Sequence, residues 1–272
     1  MSGAADGEFR DSSREGAPHR VLVTGASAGL GRALVLQLLR EGRPVTGIDR
    51  DEPTDVAKSM DALYRHERCD LSDEAQVDAL TARLIAVGSY DLAIMAAGVS
   101  ATGRFEAVPA AAHARLLRVN AEAPLVLADA LIEAGRLDGE ATLVLVASLS
   151  VDVGYPGAAS YAASKDALRA YGRSLRLARR NHPQVPRALV VMPGPLRTEH
   201  AARHAPQGAS EAKRMTPEEC ASRILKAVRG KRRELRPGLA ATLAGWFGRL
   251  LPGAAARSMR RVIFAKLDRE VW

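Results

Sequence analysis

Short apolar runs alternate with amphipathic stretches along most of this chain. Val21-Leu22-Val23-Thr24 is apolar and β-branched and stops at Gly25, the pattern of a parallel strand buried on both faces. Residues 29–41 place Leu30, Ala33, Leu34 and Leu38 on one helical stripe, and Gly42 ends it. A second strand is predicted over 44–49. Ser72 is the expected N-cap of a helix in which Val77, Leu80, Leu84 and Val87 recur at helical spacing. Residues 90–97 predict a strand closed by Gly98. A helix follows over about 110–135, with a local interruption near Pro124. Then come a strand at 141–147, a long helix at 159–180 and a strand at 188–192 ended by Pro193-Gly194. Thr216 caps a last helix of this series, with Pro217 in its first position. The rhythm predicts an α/β fold, a doubly wound parallel sheet with helices on both faces.

At 272 residues and 47% hydrophobic, the chain can bury a large core. The economical division is a tail at 1–19, one domain at 20–238 and a helical C-terminal appendage at 239–272. The tail is rich in Gly, Ala and Ser and lacks the apolar core of a signal peptide. No uncharged apolar run approaches the ~18 residues of a membrane span. Cys69 and Cys220 make no disulfide framework, so a reducing, cytoplasmic setting is expected. The net charge of +8 is unevenly spread. From Lys226 onward there are twelve Lys or Arg against three Asp or Glu, and the body is close to neutral. A neutral body with no nucleic-acid motif argues against a nucleic-acid partner.

The first strand runs into Thr24-Gly25-Ala26-Ser27-Ala28-Gly29-Leu30-Gly31 and then a helix. Glycines there allow a tight turn and close approach of a pyrophosphate, and the helix start offers unpaired N–H groups. A plain strand-to-helix turn would look similar. Asp49, at the end of the second strand, sharpens the reading, because a carboxylate there accepts from both ribose hydroxyls of NAD and repels a 2′-phosphate. Arg50 pulls the other way, toward NADP. Ala28 supplies no cation, and NAD is favoured. Asp70, followed by Leu71, stands either beside the adenine or in a loop near the Ser72 cap.

Of five tyrosines, only Tyr161 has a lysine four residues later, Lys165. Positions i and i+4 share a helix face. An ammonium beside a phenol favours the phenolate and makes it a usable acid/base near neutrality. Ser148, at the end of a predicted strand, can donate to the same substrate oxygen or be a turn serine.

Together these motifs resemble the short-chain dehydrogenases/reductases, over residues 20–230. The glycine loop resembles that family's cofactor motif, Tyr161-x-x-x-Lys165 its catalytic pair, and Ser148 stands thirteen residues before the tyrosine. Asn120 looks like its structural and proton-relay asparagine. Pro193, Gly194, Leu196 and Thr198 resemble the segment that holds the nicotinamide carboxamide. The resemblance implies a Rossmann fold and a homodimer or homotetramer built on the helices of Asn120 and Tyr161. It further implies hydride exchange between NAD(H) and a small carbonyl or alcohol, with Tyr161 as general acid/base, Lys165 tuning it, Ser148 orienting the substrate and Asn120 fixing a relay water. One departure is plain: Met95-Ala96-Ala97-Gly98 stands where the family carries an asparagine before Ala-Gly. Ala97 and Gly98 still line the cofactor, but sheet-bracing hydrogen bonds are expected to be lost. The competing readings are an NADP(H)-preferring ketoreductase and a dinucleotide-binding sensor or scaffold without turnover.

Residues 199–215 fall where the family's substrate lid lies. His200 and His204 share a helix face, but no third ligand accompanies them, and no metal is expected. In the appendage, Leu239, Leu243, Trp246, Phe247, Leu250 and Leu251 form one helical stripe, broken by Pro252-Gly253. Met259, Val262, Ile263 and Leu267 form another, among Arg249, Arg257, Arg260, Arg261 and Lys266. Such a pair of helices either packs on the subunit or a neighbouring protomer, or lies peripherally on the inner membrane surface.

Overall fold

The computed structural model describes residues 20–53, 62–104, 107–153, 157–204, 214–262 and 271–272. Seven parallel strands form one sheet: β1 (Val21–Thr24), β2 (Val45–Asp49), β3 (Tyr64–Arg68), β4 (Leu92–Met95), β5 (Thr142–Val146), β6 (Arg187–Val191) and β7 (Glu234–Leu235). Their spatial order is β3-β2-β1-β4-β5-β6-β7, so the winding reverses between β1 and β4. In such a sheet, ligands bind beyond the carboxyl ends of the strands at that reversal.

Strand residues alternate between two apolar layers. Leu22, Ala93, Leu143, Leu145 and Val190 point to one layer, completed by Val77, Leu80 and Leu84 of α2 (Glu74–Val87), Leu127 and Leu131 of α4 (Ala123–Glu133) and Leu168 of α6 (Ala159–Ala178). Val21, Val23, Ile94, Val144 and Leu189 point to the other, covered by α1 (Gly29–Arg40) and α8 (Pro217–Arg229).

Most expected elements form, with shorter ends. Helix α2 is capped by Asp73, whose side chain accepts from Gln76 N, and not by Ser72. Ser72 instead donates to Asp70, which removes it from the cap. Thr216 and Pro217 start α8 as the sequence predicts. The interruption expected near Pro124 is a π-turn at Arg118–Glu122, between α3 (Ala110–Leu117) and α4. Proline has no N–H to give the carbonyl four residues back, which here belongs to Asn120, so the α pattern breaks one turn upstream. Strand β3 is polar and β7 spans only two residues, so neither carries a strong sequence signal. Two short helices, α5 (Ser150–Val153) and α7 (Glu199–Arg203), follow the carboxyl ends of β5 and β6. The appendage forms α9 (Leu239–Leu250) and α10 (Pro252–Val262). Ile263 and Leu267 of the predicted second stripe, Lys266 beside it, the tail at 1–19 and part of the lid lie outside the described residues. Among the described residues, no helix is long and apolar enough to cross a membrane.

Candidate active site

The glycine loop closes tightly on its neighbours. Gly25 adopts φ +72°, in the left-handed region, and a Cβ there would lie 2.9 Å from Ala97 Cα. A Cβ on Gly31 would sit 2.0 Å from the Gly25 carbonyl oxygen, so the turn admits only glycine at that position. Gly25 N and Ala26 N both donate to Ile48 O, at 2.8 and 3.2 Å, which ties the loop to β2. Ala28 is the N-cap of α1 and has no side chain to accept from the first helical amides. Those N–H groups are therefore suited to an external anion, and the cradle fits a dinucleotide pyrophosphate. Leu30 is buried behind the loop.

Asp49 ends β2. Its carboxylate accepts from Ser27 N at 3.0 Å and Asp51 N at 3.2 Å, one on each oxygen, and the Ser27 hydroxyl donates to Asp51 O. Arg50 is exposed and its guanidinium pairs with Asp51 at 3.2 Å. Asp70 accepts from both the amide (2.9 Å) and the hydroxyl (2.7 Å) of Ser72, beside buried Leu71. Partial burial works to raise the Asp70 carboxyl, but those hydrogen bonds outweigh it and hold the group below the ordinary aspartate value.

At the ends of β4 and β5 the second cluster assembles. Thr24 Oγ1 accepts from Ala96 N at 3.0 Å and Ala97 N at 3.1 Å. The expected loss of bracing at Met95-Ala96 is thus offset by a β1 hydroxyl that bridges to the β4 end. Asn120 is fully buried in the π-turn. Its amide accepts from Val99 N (2.8 Å), donates to Val99 O (2.9 Å) and donates to Ser164 Oγ (3.1 Å), while Ser164 donates to Tyr161 O (2.7 Å). Both amide hydrogens are thereby occupied.

Lys165 lies one turn beyond Tyr161 on α6. It is 3% exposed, and its Nζ donates to Val146 O at 3.0 Å and stands 5.8 Å from the Tyr161 ring centroid. Burial pushes its ammonium down from an ordinary 10.5 to about 8. A Cβ on Gly98 would come within 3.2 Å of that Nζ and 3.5 Å of Asn120 Oδ1. Ser148 sits two residues past Val146, and its Oγ accepts from Ser150 N at 3.2 Å. The Tyr161 ring packs against Ala101, Val108 and Leu116.

The far wall comes from the β6 end. Pro193 O accepts from Leu149 N at 2.9 Å and joins it to the Ser148 segment. Gly194 has open space at its Cβ position. Leu196 bridges to Met215. Thr198 caps α7, accepting from Ala201 N at 3.1 Å, and its methyl carbon would lie 3.3 Å from a Cβ on Gly29. The cap leaves the Thr198 hydroxyl hydrogen for another acceptor. The two lid histidines face each other at 4.7 Å between ring centroids, and His204 Nδ1 meets Thr102 Oγ1 at 2.9 Å. Burial, then the charges of Arg203 and Lys165, hold the His200 imidazolium below its usual range. Thr102 also pairs with Val271 through two backbone hydrogen bonds of 2.9 Å. Among the described residues, no group of three or more His, Cys, Asp or Glu could hold a metal ion. Sequence reasoning missed Thr24, Thr102, Ser164 and Val271. Each acts through a partner distant in sequence, and none had a local signal.

A parallel sheet with a glycine cradle at its winding reversal, and a buried lysine one turn from a tyrosine beside that cradle, define a dinucleotide-dependent oxidoreductase. A family model described as short chain dehydrogenase matches residues 19–208, and the chain belongs to that family. It is an NAD(P)(H)-dependent oxidoreductase that interconverts a carbonyl and an alcohol. It is 30% identical over 181 residues to the short-chain dehydrogenase/reductase olcF of Penicillium canescens, covering 65% of this chain and 69% of that protein. Its fold matches a short chain dehydrogenase of Burkholderia cenocepacia solved with NADP, with TM-score 0.73, 23% identity and coverage of 89% of this chain and 97% of that one. A short chain dehydrogenase/reductase of Burkholderia phymatum solved with NAD matches at TM-score 0.73 and 22% identity, covering 85% and 92%. At these identities the two structures speak to the fold alone.

Proposed function

We propose that the enzyme uses NAD(H) in preference to NADP(H) and that Tyr161, Lys165, Ser148 and Asn120 carry the reaction on a small carbonyl or alcohol. The observation that carries the catalytic assignment is Lys165: an ammonium buried to 3% exposure, one turn from Tyr161 and tied to Val146 O at the end of the strand that leads to Ser148. A buried charge of this kind is costly, and it is kept where chemistry needs it.

The bound dinucleotide supplies or accepts the hydride. Ser148 and Tyr161 hold the substrate oxygen. In the reducing direction Tyr161 gives its phenolic proton to that oxygen, and in the oxidising direction takes it back. Lys165 stabilises the phenolate and offers its remaining hydrogens to the nicotinamide ribose. Asn120 holds the β4 end in register with α6, and its backbone carbonyl is the acceptor for a relay water. Gly25, Ser27, Gly29 and Gly31 would cradle the pyrophosphate, Asp70 and Leu71 would flank the adenine, Ala97 and Gly98 would allow close approach, and Thr198 would donate to the carboxamide.

Asp49 supports NAD, because its carboxylate stands against the loop where a 2′-phosphate would lie, and Arg50 is engaged with Asp51. The proposed assembly is a homodimer or homotetramer on the α3–α4 and α6 faces, which expose Leu117, Val126 and Leu177. The enzyme is proposed to be cytoplasmic, with a peripheral membrane contact through its C-terminal helices. The deciding experiment is Tyr161→Phe, assayed with a panel of ketones and secondary alcohols by NADH absorbance. Turnover should fall by several orders of magnitude while NADH affinity stays within a few-fold. Retained turnover would remove Tyr161 from the mechanism.

A further inference from the structure

Helix α9 is mounted the reverse way round from an ordinary amphipathic helix. The residues it buries are small: Ala241, Gly245 and Gly248, at i, i+4 and i+7. A Cβ on Gly248 would lie 2.1 Å from Asp152 O, and one on Gly245 would lie 2.9 Å from Asp152 Oδ2. The helix backbone therefore rests directly on α5, the short helix just after Ser148. The large apolar stripe faces solvent: Leu239 is 85% exposed, Leu243 69%, Trp246 60% and Leu250 71%. Phe247 and Leu251 are exposed beside it. A surface helix normally turns such a stripe to the core.

This orientation is fixed by charge. The Asp152 carboxylate is fully buried and meets Arg236 at 2.8 Å, Arg249 at 3.0 Å and Arg169 at 3.2 Å. Arg249 belongs to α9 and also meets Glu234 at 3.5 Å. Rolling α9 to hide its leucines would pull Arg249 from both carboxylates and leave Asp152 short of a partner. The next helix, α10, buries Ala255 and exposes Arg257, Arg260 and Arg261. From Leu239 to Val262 the sequence has no Asp or Glu.

We propose that the outward stripe of α9, framed by the arginines of α10, docks on an anionic phospholipid surface. The inference rests on the membrane contact proposed above and gives it a face and a sign of charge. The apolar side chains would enter the boundary between headgroups and acyl chains, with Trp246 at the depth its amphipathic ring favours, and the arginines would pair with lipid phosphates. A second copy of this chain fits the face poorly. Two such faces brought together would set α10 arginines near one another with no carboxylate on either helix to answer them.

The test is co-sedimentation of the full-length protein with vesicles. One set is phosphatidylcholine alone; the other is equal parts phosphatidylcholine and phosphatidylglycerol. The protein is expected to sediment with the anionic set and to stay in solution with the neutral set. Leu243→Glu with Trp246→Glu should weaken that binding on the order of tenfold or more, as should Arg257→Glu with Arg260→Glu and Arg261→Glu. All these side chains are exposed, so circular dichroism should be unchanged. Failure of the parent protein to bind either set would overturn the membrane contact itself. Binding that both variants retain would leave a membrane contact but overturn this face as its source. A dimer in solution that Leu243→Glu with Trp246→Glu dissociates would assign the face to a second copy instead.

Discussion

Lys165 Nζ reaches across from α6 to the carbonyl oxygen of Val146, 3.0 Å away at the end of β5. That one bond joins the helix of Tyr161 to the strand that delivers Ser148. It also holds an ammonium in a place where burial lowers it to about 8.

The fold favours the neutral amine, so carrying the charge costs the empty protein about 3 kcal/mol below pH 8, a cost that fades as pH rises from about 8 toward the ordinary 10.5. Lys165→Met should therefore unfold at higher urea at pH 7 than the parent, by about 1–3 kcal/mol once the lost bond to Val146 is allowed for. The gap should narrow by pH 10. The same variant should bind NADH more weakly and lose turnover. Equal stability at both pH values would show that the charge is not borne in the folded empty protein.

The proposed preference for NAD(H) rests on Asp49. Its carboxylate accepts from Ser27 N at 3.0 Å, beside the loop that would face the adenosine ribose. Asp49→Ser should relieve repulsion of a 2′-phosphate and leave Arg50 to attract it. The ratio of kcat/KM for NADPH to that for NADH is expected to rise by on the order of tenfold or more. A parent enzyme that already prefers NADPH would reverse the assignment.

Asn120→Ala would leave both Val99 N and Val99 O without their side-chain partner and would strip Ser164 of a donor. The expected loss is about 2–4 kcal/mol, read as a lower melting temperature. Asn120→Asp should cost nearly as much, because a carboxylate cannot donate to Val99 O.

Asp152 predicts acid behaviour. Burial works to raise its carboxyl, but hydrogen bonds and charge from Arg236 and Arg249 outweigh that and hold it below the ordinary 3.8. A depressed aspartate stabilises the fold above its unfolded value and loses that contribution as pH falls through the folded one. Asp152→Asn should cost about 3 kcal/mol at neutral pH, by leaving three arginines short of a counter-charge. It should also flatten the acid limb of the stability curve below pH 3.8. Intrinsic fluorescence, to which Trp246 of α9 contributes, gives the readout. An unchanged acid limb would mean that Asp152 does not hold the appendage.

The linear chain carried the periodic part of this protein. Short apolar runs marked β1, β4, β5 and β6, three of them closed by Gly or Pro, and 3.6-residue stripes marked α1 and α2, because each element buries a face of fixed period, while the Thr216-Pro217 start marked α8. Spacing along one helix was enough to single out Tyr161 and Lys165, and the glycine turn announced itself because few other residues could make it. Strand order, the Thr24 brace at Ala96 and Ala97, the Asn120–Ser164–Tyr161 link and the pairing of Thr102 with Val271 were decided only by folding, since each joins residues far apart in sequence. The α9 stripe shows the limit most plainly. Its periodicity was legible, but which way it faces was not. That depended on two glycines seating the helix on Asp152 and on arginines from α6, from the residue just after β7 and from α9 itself converging there, a balance of packing and charge that exists only once the sheet has brought them together.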